Sequence, residues 1–306
     1  MRAGTGSLFA LALAGSVSAA AAEIRVVGCD LLGPDFAAAL RAHAQRCEVD
    51  LTLALEGSHG GRARFEAGAA DLALLVLRPE EMPPAPPHRG VPLGYFTTIV
   101  LVPAASPLTE ISLGELAGIF GADTPADHSR WGDLGLGGEW TARAIGPQAL
   151  APEAGLSSAL FRHHALGGGV FKTVVDRPES TAALMRKLAA DPGGIALAGA
   201  APRPDEGGAN VLRVSRGDAD VAFGPTPENV HAGDYPLRLT LWLAVRREFA
   251  DAGGLDLVRF LLGDESARQL ERAQVLPLTR PVREQLRFET ESWGAAAKDA
   301  ENILVK

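Results

Sequence analysis

The chain has 306 residues and a mass of 31.9 kDa, with 47% hydrophobic and 22% charged residues and a mean hydropathy of +0.09. That balance belongs to a globular protein with ample material for a core, and it excludes a wholly disordered chain, a collagen-like repeat and a multi-span membrane protein. A formal charge of −8 with a pI near 5.4 argues against a basic face for nucleic acid or anionic lipid, so any anionic ligand must be held by a few local groups.

Taken in chain order, Arg2, the apolar stretch 8–14 and Ala20-Ala21-Ala22 before Glu23 read as an export signal, too short and interrupted to span a bilayer. Cleavage after Ala22 removes one basic residue, Arg2, and moves the charge from −8 to −9. The expected compartment is the periplasm. Val26-Val27-Gly28-Cys29 imitates a lipoprotein box, but Glu23 and Arg25 separate it from the apolar stretch such a box follows.

Runs 24–28, 49–54 and 72–77 predict strands, with helices over 34–46 and 61–67 between them; this β-α-β-α-β order calls for a parallel sheet with helices on its faces. Phe36, Leu40 and Ala44 form one stripe of the first helix. At 1.5 Å per residue that helix would hold Cys29 and Cys47 roughly 18–20 Å apart, beyond the ~7 Å reach of a disulfide, so both are expected to be free thiols.

Residues 80–89, rich in proline, read as an irregular connection, and 91–95 and 98–102 as further strands, with a crossing between domains near Pro103. Ser112-Leu113-Gly114-Glu115 has capping-box spacing and starts a helix to about Phe120. A glycine-rich loop through Trp131 leads to a strand over 141–145, helices over 156–165 and 181–190, and a short strand over 195–198. A polar loop 202–208, strands 211–214 and 237–245, the second entered by a crossing near Pro236, and helices 255–262 and 265–273 complete the ordered part. The pattern is two α/β units joined by two crossings. In such sheets ligands sit at the carboxyl ends of strands, where helix N-termini point into the crevice.

Gly57-Ser58-His59-Gly60-Gly61, Phe65 to Asp71, Arg78-Pro79 with Glu81, and Leu113 to Phe120 followed by Trp131 are one set of motifs. Pro225 to Val230, Gly233-Asp234-Tyr235-Pro236-Leu237, Phe260-Leu261-Leu262 and Val275 to Leu278 are another. Through their order over residues 24–278 the chain resembles the periplasmic phosphate-binding proteins of ABC transporters. The resemblance implies an α/β, two-domain type II periplasmic-binding-protein fold, each domain a mostly parallel sheet flanked by helices. Its boundaries would be 1–22 for the signal, 23–103 plus 236–286 for domain I, 104–235 for domain II and 287–306 for a C-terminal tail. It implies a monomeric, non-enzymatic protein without cofactor or metal that captures phosphate or a related small oxyanion for the inner-membrane permease of an ABC transporter. A net-negative protein can do this, because orphan N–H groups and the helix dipole bind an oxyanion without a formal positive charge.

The residues the resemblance assigns to the ligand are Asp30, Leu31, Gly57, Ser58, Arg78, Gly155, Ser157 and Ser158. Ser58 would donate its hydroxyl and backbone N–H, or serve only as a helix cap. Gly28-Cys29-Asp30-Leu31 stands where the family has glycine and small hydroxyl residues, and an ionised aspartate repels an anion; Asp30 otherwise caps the next helix. In the second domain Ala154-Gly155-Leu156 replaces serine-glycine-threonine, Leu150 stands about where an arginine belongs, and the aspartate expected after the third strand is missing from Leu75-Val76-Leu77. Each lost donor or charge would cost on the order of 1–3 kcal/mol. The alternative is therefore a degenerate pocket in an envelope scaffold or sensor component.

Enzymatic readings are weaker. Gly155-Leu156-Ser157-Ser158-Ala159 imitates a nucleophile elbow, but no strand is predicted to run directly into the serine. Adjacent His163 and His164 point about 100° apart on a helix and cannot share a metal; a solvated helix face is expected of them. Four scattered tryptophans are expected in the core or at rims, and the tail 287–306 as a docking helix or a mobile terminus.

Overall fold

The computed structural model describes residues 23–304, apart from 79, 80, 85, 87, 200–207, 248 and 250–253. The export signal over 1–22, Pro79, and nearly all of the 202–208 loop thus lie outside the described residues.

Strands β1 (Glu23–Gly28), β2 (Asp50–Ala54) and β3 (Leu72–Val76) alternate with helices α1 (Gly33–Arg46) and α2 (Ser58–Glu66). β1 pairs in parallel with both β2 and β3, as the alternation predicts. Pro34 in the first turn of α1 suits a position whose N–H has no helical partner, and Phe36, Leu40 and Ala44 bury the predicted stripe. Cys29 lies buried before α1 and Cys47 exposed after it, both free.

β4 (Arg89–Thr97), β5 (Ile99–Pro103), β6 (Glu110–Ser112) and α3 (Leu113–Phe120) follow. The capping box is formed: Glu115 N–H donates to Ser112 Oγ at 3.0 Å, and Ser112 N–H to Glu115 Oε2 at 2.8 Å. Residues 141–145 are not the expected strand. Trp131 is fully buried with its indole N–H on the Gly193 carbonyl at 3.0 Å, and it packs edge-on against Trp140, which folds this segment into a turn. The strand comes later, as β7 (Gly146–Ala149).

α4 (Ser157–Leu166), α5 (Thr181–Ala190), β8 (Gly194–Ala198), β9 (Ala209–Val211) and β10 (Arg213–Ser215) lead to α6 (Pro227–Ala232). β11 (Arg238–Val245), α7 (Gly254–Leu261), α8 (Asp264–Arg272), β12 (Leu276–Pro277) and α9 (Arg280–Leu304) end the chain. The single strand expected over 211–214 is two, because Leu212 turns its N–H to the Val100 carbonyl while β9 joins β5 and β10 joins β6. The tail expected to be either a helix or a mobile terminus is helical to Leu304.

The described strands form a six-stranded sheet ordered β12-β4-β11-β3-β1-β2, a four-stranded sheet ordered β7-β8-β5-β9 and the pair β10-β6. The first draws on both ends of the chain and the other two on its middle. Parallel pairing is confined to β1 with β2 and β3, β7 with β8, and β6 with β10; every antiparallel pair includes β4, β5 or β11, the strands that flank the crossings. The first crossing is at Thr98, not near Pro103, so 99–103 belong to the four-stranded sheet. An unbroken β-branched run, Thr97-Thr98-Ile99-Val100, hides that crossing in the sequence. The second lies between the end of β10 at Ser215 and the start of β11 at Arg238, a stretch in which α6 already touches the six-stranded sheet through His231, at 3.1 Å from the Pro277 carbonyl.

Phe36 and Leu40 of α1 pack with α7 and α8 on the face of the six-stranded sheet carrying Ile24, Val26, Leu72 and Leu74. Phe65 of α2 covers the opposite face, on Val27, Ala73 and Leu75. The approach of α2 depends on glycine: a Cβ on Gly61 would lie 2.5 Å from the Gly28 Cα, and one on Gly28 would lie 1.9 Å from the Leu74 carbonyl oxygen. In the four-stranded sheet Leu184 and Leu188 of α5 cover Leu101 and Ala196, and Leu160 and Phe161 of α4 lie on the side of Val100, Ile195 and Leu197.

Candidate functional site

The segment into α4 lacks a side-chain cap. A 3-10 turn over Pro152–Ala154 ends at Gly155, whose φ of 138° is a conformation side chains disfavour. α4 then starts with Leu156 at the N-cap and, like α1, α2 and α8, has no side-chain cap, whereas α3, α5 and α6 are capped by Ser112, Ser180 and Thr226. The first-turn N–H groups of α4 therefore carry the partial positive charge of the helix end without a side-chain acceptor.

Ser157, the first residue of α4, is 2% exposed, and its Oγ has no hydrogen-bond partner among the described residues. A native buried hydroxyl in that state is uncommon. It lines a cavity of about 270 Å³ between the two larger sheets. Leu31, beyond β1, and Phe96 and Thr97, at the end of β4, form one wall; Ala154, Gly155 and Leu156 form the other. Glu153, Arg272 and Gln274 add one carboxylate, one guanidinium and one amide.

The α4 start is tied to both crossings through Thr98, which is fully buried. Its Oγ1 donates to the Ser157 carbonyl at 2.7 Å, its N–H to the Leu237 carbonyl at 3.0 Å, and its own carbonyl accepts the Tyr235 hydroxyl at 2.6 Å. Burial raises the Tyr235 phenol pKa, so it stays a donor.

Of the residues expected at the ligand, Leu31, Gly155 and Ser157 share this cavity. Ser58 stands at the start of α2, but its Oγ accepts the Val76 N–H at 2.9 Å, and it lies beside the Cys29 thiol, whose pKa burial pushes up to about 11. It is not the cap of α2, since Gly57 occupies that position. Ser158 Oγ donates to the Leu150 carbonyl at 2.5 Å. Asp30 is exposed in the 3-10 turn Asp30–Leu32 and makes no side-chain cap hydrogen bond there, nor does it cap α1, whose N-cap is Leu32.

Arg78 lines another cavity, of about 340 Å³, with Arg216, Arg238, His164 and Trp242, and pairs with Glu81 at 3.2 Å. His164 is half-buried with Nε2 2.9 Å from the Arg238 carbonyl, not on the solvated face expected of it. Sequence reasoning missed Phe96, Thr97, Thr98, Glu153, Arg272 and Gln274. It also missed Arg177, which stacks on Phe171 and donates to the Leu150 carbonyl at 3.0 Å, placing a cation behind the α4 start, although Leu150 itself is apolar. The motif Val275 to Leu278 adjoins Arg272 and Gln274 and was the one signal near them. Among the described residues no three His, Cys, Asp or Glu side chains cluster as metal ligands.

Solved structures share this architecture. A possible phosphate binding protein from Planctomyces limnophilus superposes with a TM-score of 0.70 at 18% identity, over 89% of this chain and 99% of that one. The chain has the fold of these proteins. PstS from Borrelia burgdorferi superposes on this phosphate-binding-protein fold with a TM-score of 0.67 at 16% identity, covering 84% of this chain and 99% of that one. An ABC-type phosphate transport receptor from Vibrio cholerae gives 0.61 at 15%, covering 83% and 99%. No family model matches the chain, and no curated protein matches it in sequence. Within this fold, the cavity at the α4 start lies where strand ends and a helix N-terminus meet, the general position of ligands in open α/β sheets.

Proposed function

We propose that the chain is an exported, non-enzymatic solute-binding protein that captures a small oxyanion at the start of α4 and delivers it to an ABC transporter in the inner membrane. The observation that carries this reading is Ser157: a buried hydroxyl without a partner, beside uncapped helical N–H groups, at the wall of a cavity between two sheets. An anion there would accept from the α4 amides, and from the Ser157 hydroxyl once that oxygen, closed off in this conformation, turns toward the cavity. The shared fold supports the transport role, and the signal-like residues 1–22 support the periplasm. Two units would move about Thr98 and the stretch between Ser215 and Arg238, where the chain changes sheet.

The test is thermal unfolding of the purified protein with millimolar phosphate, phosphonates, sulfate or short carboxylates. Ligand at 100 times its Kd stabilises by about 2.7 kcal/mol, a rise of several degrees in Tm. That rise is expected for one or more of these anions and is expected to vanish in Ser157→Ala. A second reading, a scaffold or sensor component with a degenerate pocket, is favoured by the internal bonds of Ser58 and Ser158 and by Leu31 and Leu156 in the wall. Absence of any shift across the panel would select it.

A further inference from the structure

Resting on the reading above, we infer that the solute is a zwitterion: a small carboxylate or phosphonate whose body carries an amino group, with its oxyanion at the α4 amides and its ammonium on Glu153. The cavity at the α4 start is lined by groups of both signs. Glu153, in the 3-10 turn before α4, and Arg272, in the last turn of α8, are exposed at it, and Thr97 and Gln274 add a hydroxyl and a carboxamide.

Neither charge is already paired. Among the described residues the Glu153 carboxylate has no hydrogen bond or ion pair, and the Arg272 guanidinium has one hydrogen bond, to the neutral Gln269 Oε1 at 3.3 Å. Arg177 feels the Glu153 charge, but it is engaged by Phe171 and the Leu150 carbonyl and does not line the cavity. One carboxylate and one guanidinium therefore border the same space, one from the unit of the four-stranded sheet and one from that of the six-stranded sheet. A simple anion drawn into it satisfies Arg272 and leaves Glu153 opposed to the added charge, and a dianion such as phosphate doubles that opposition. A zwitterion answers both signs. Its oxyanion accepts from the α4 amides and Arg272, its ammonium donates to Glu153, and both contacts are charge-assisted hydrogen bonds.

Gln274 adds an independent sign that this wall is kept polar. It follows the C-cap of α8 with φ 59°, a position where glycine is the default, so the side chain is held there at a backbone cost. Its Oε1 reaches across to Gly199, just past β8, where a Cβ would lie 2.7 Å from it. The carboxamide is thus carried from one unit to the strand end of the other, beside the charges, where it can accept from an ammonium or donate to an oxyanion.

Calorimetric titration of the purified protein with shape-matched pairs separates the two charges: glycine against propanoate, β-alanine against butanoate, and 2-aminoethylphosphonate against propylphosphonate. The members of a pair differ by an ammonium in place of a methyl. For at least one pair the amine-bearing member is expected to bind about tenfold more tightly. Glu153→Gln, which keeps the shape of an exposed side chain, should remove that preference, and Arg272→Gln should weaken both members of the pair. Equal or tighter binding of the methyl member in every pair, or a preference that survives Glu153→Gln, would overturn the inference; where that binding is lost in Ser157→Ala, the solute-binding reading stands. Binding of none of these compounds, or binding untouched by Ser157→Ala, would overturn that reading as well.

Discussion

At Ser157 the hydroxyl has left water without acquiring a partner among the described residues, a state that costs about 1–3 kcal/mol and that the proposed anion would relieve. Ser58 and Ser158 look equivalent in sequence, each a serine at a helix start, but their oxygens are already bonded to backbone. Which of the three can serve a ligand depends on tertiary partners, so it could not be read from the chain. The thiols divide in a similar way. Cys29 is fully buried and held protonated, while Cys47 is exposed. One thiol is therefore expected to react rapidly with a disulfide reagent in the native protein and the second only on unfolding; two fast thiols would contradict the burial of Cys29. Because the folded pKa of Cys29 is raised from 9.0 to about 11, its contribution to stability is intact below pH 9 and is lost as pH rises toward 11. Unfolding of Cys29→Ala should show a shallower alkaline decline over that window.

Two local packing devices position the helices. α2 lies on β1 only because Gly61 meets Gly28, so Gly61→Ala must push the helix off the sheet or fail to fold, with a loss of several kcal/mol in denaturant unfolding. A loss under about 1 kcal/mol would show that the contact yields. The α4 start is held through Thr98. Thr98→Val leaves the Ser157 carbonyl without its buried donor, and Tyr235→Phe does the same to the Thr98 carbonyl. Each should cost about 1–3 kcal/mol, and Thr98→Val should also weaken ligand affinity, whereas a mutation with a purely structural effect would leave affinity alone. Elements with strong local signals were legible: the alternation into β1, β2 and β3, the stripe of α1, the Ser112-Glu115 box of α3 and the bounds of α5. The 141–145 segment was misread because two tryptophans that meet only in the folded loop decide its path. The split at Leu212 was missed because the two halves of that run pair in different sheets.

At the scale of the whole molecule, the sheets exchange chain at Thr98 and again between Ser215 and Arg238, and the cavity with Ser157 lies between them. Two crossings were read from the order of predicted strands and helices, the first of them near Pro103, whereas the chain changes sheet at Thr98. The chemistry of the cavity was less legible, since Phe96, Thr97, Arg272 and Gln274 reach it from segments far apart in sequence. Closure of two units over a solute predicts a smaller radius of gyration with ligand than without, measurable by solution scattering; an unchanged profile at saturation would argue for a rigid cleft. The central claim is that a solute oxyanion sits at the start of α4. A crystal structure grown with the anion that raises the Tm most tests it most directly. The account predicts its oxygens within hydrogen-bond distance of Ser157 Oγ and the first amides of α4. Density for the anion at Ser58, or among Arg78, Arg216 and Arg238, would contradict it.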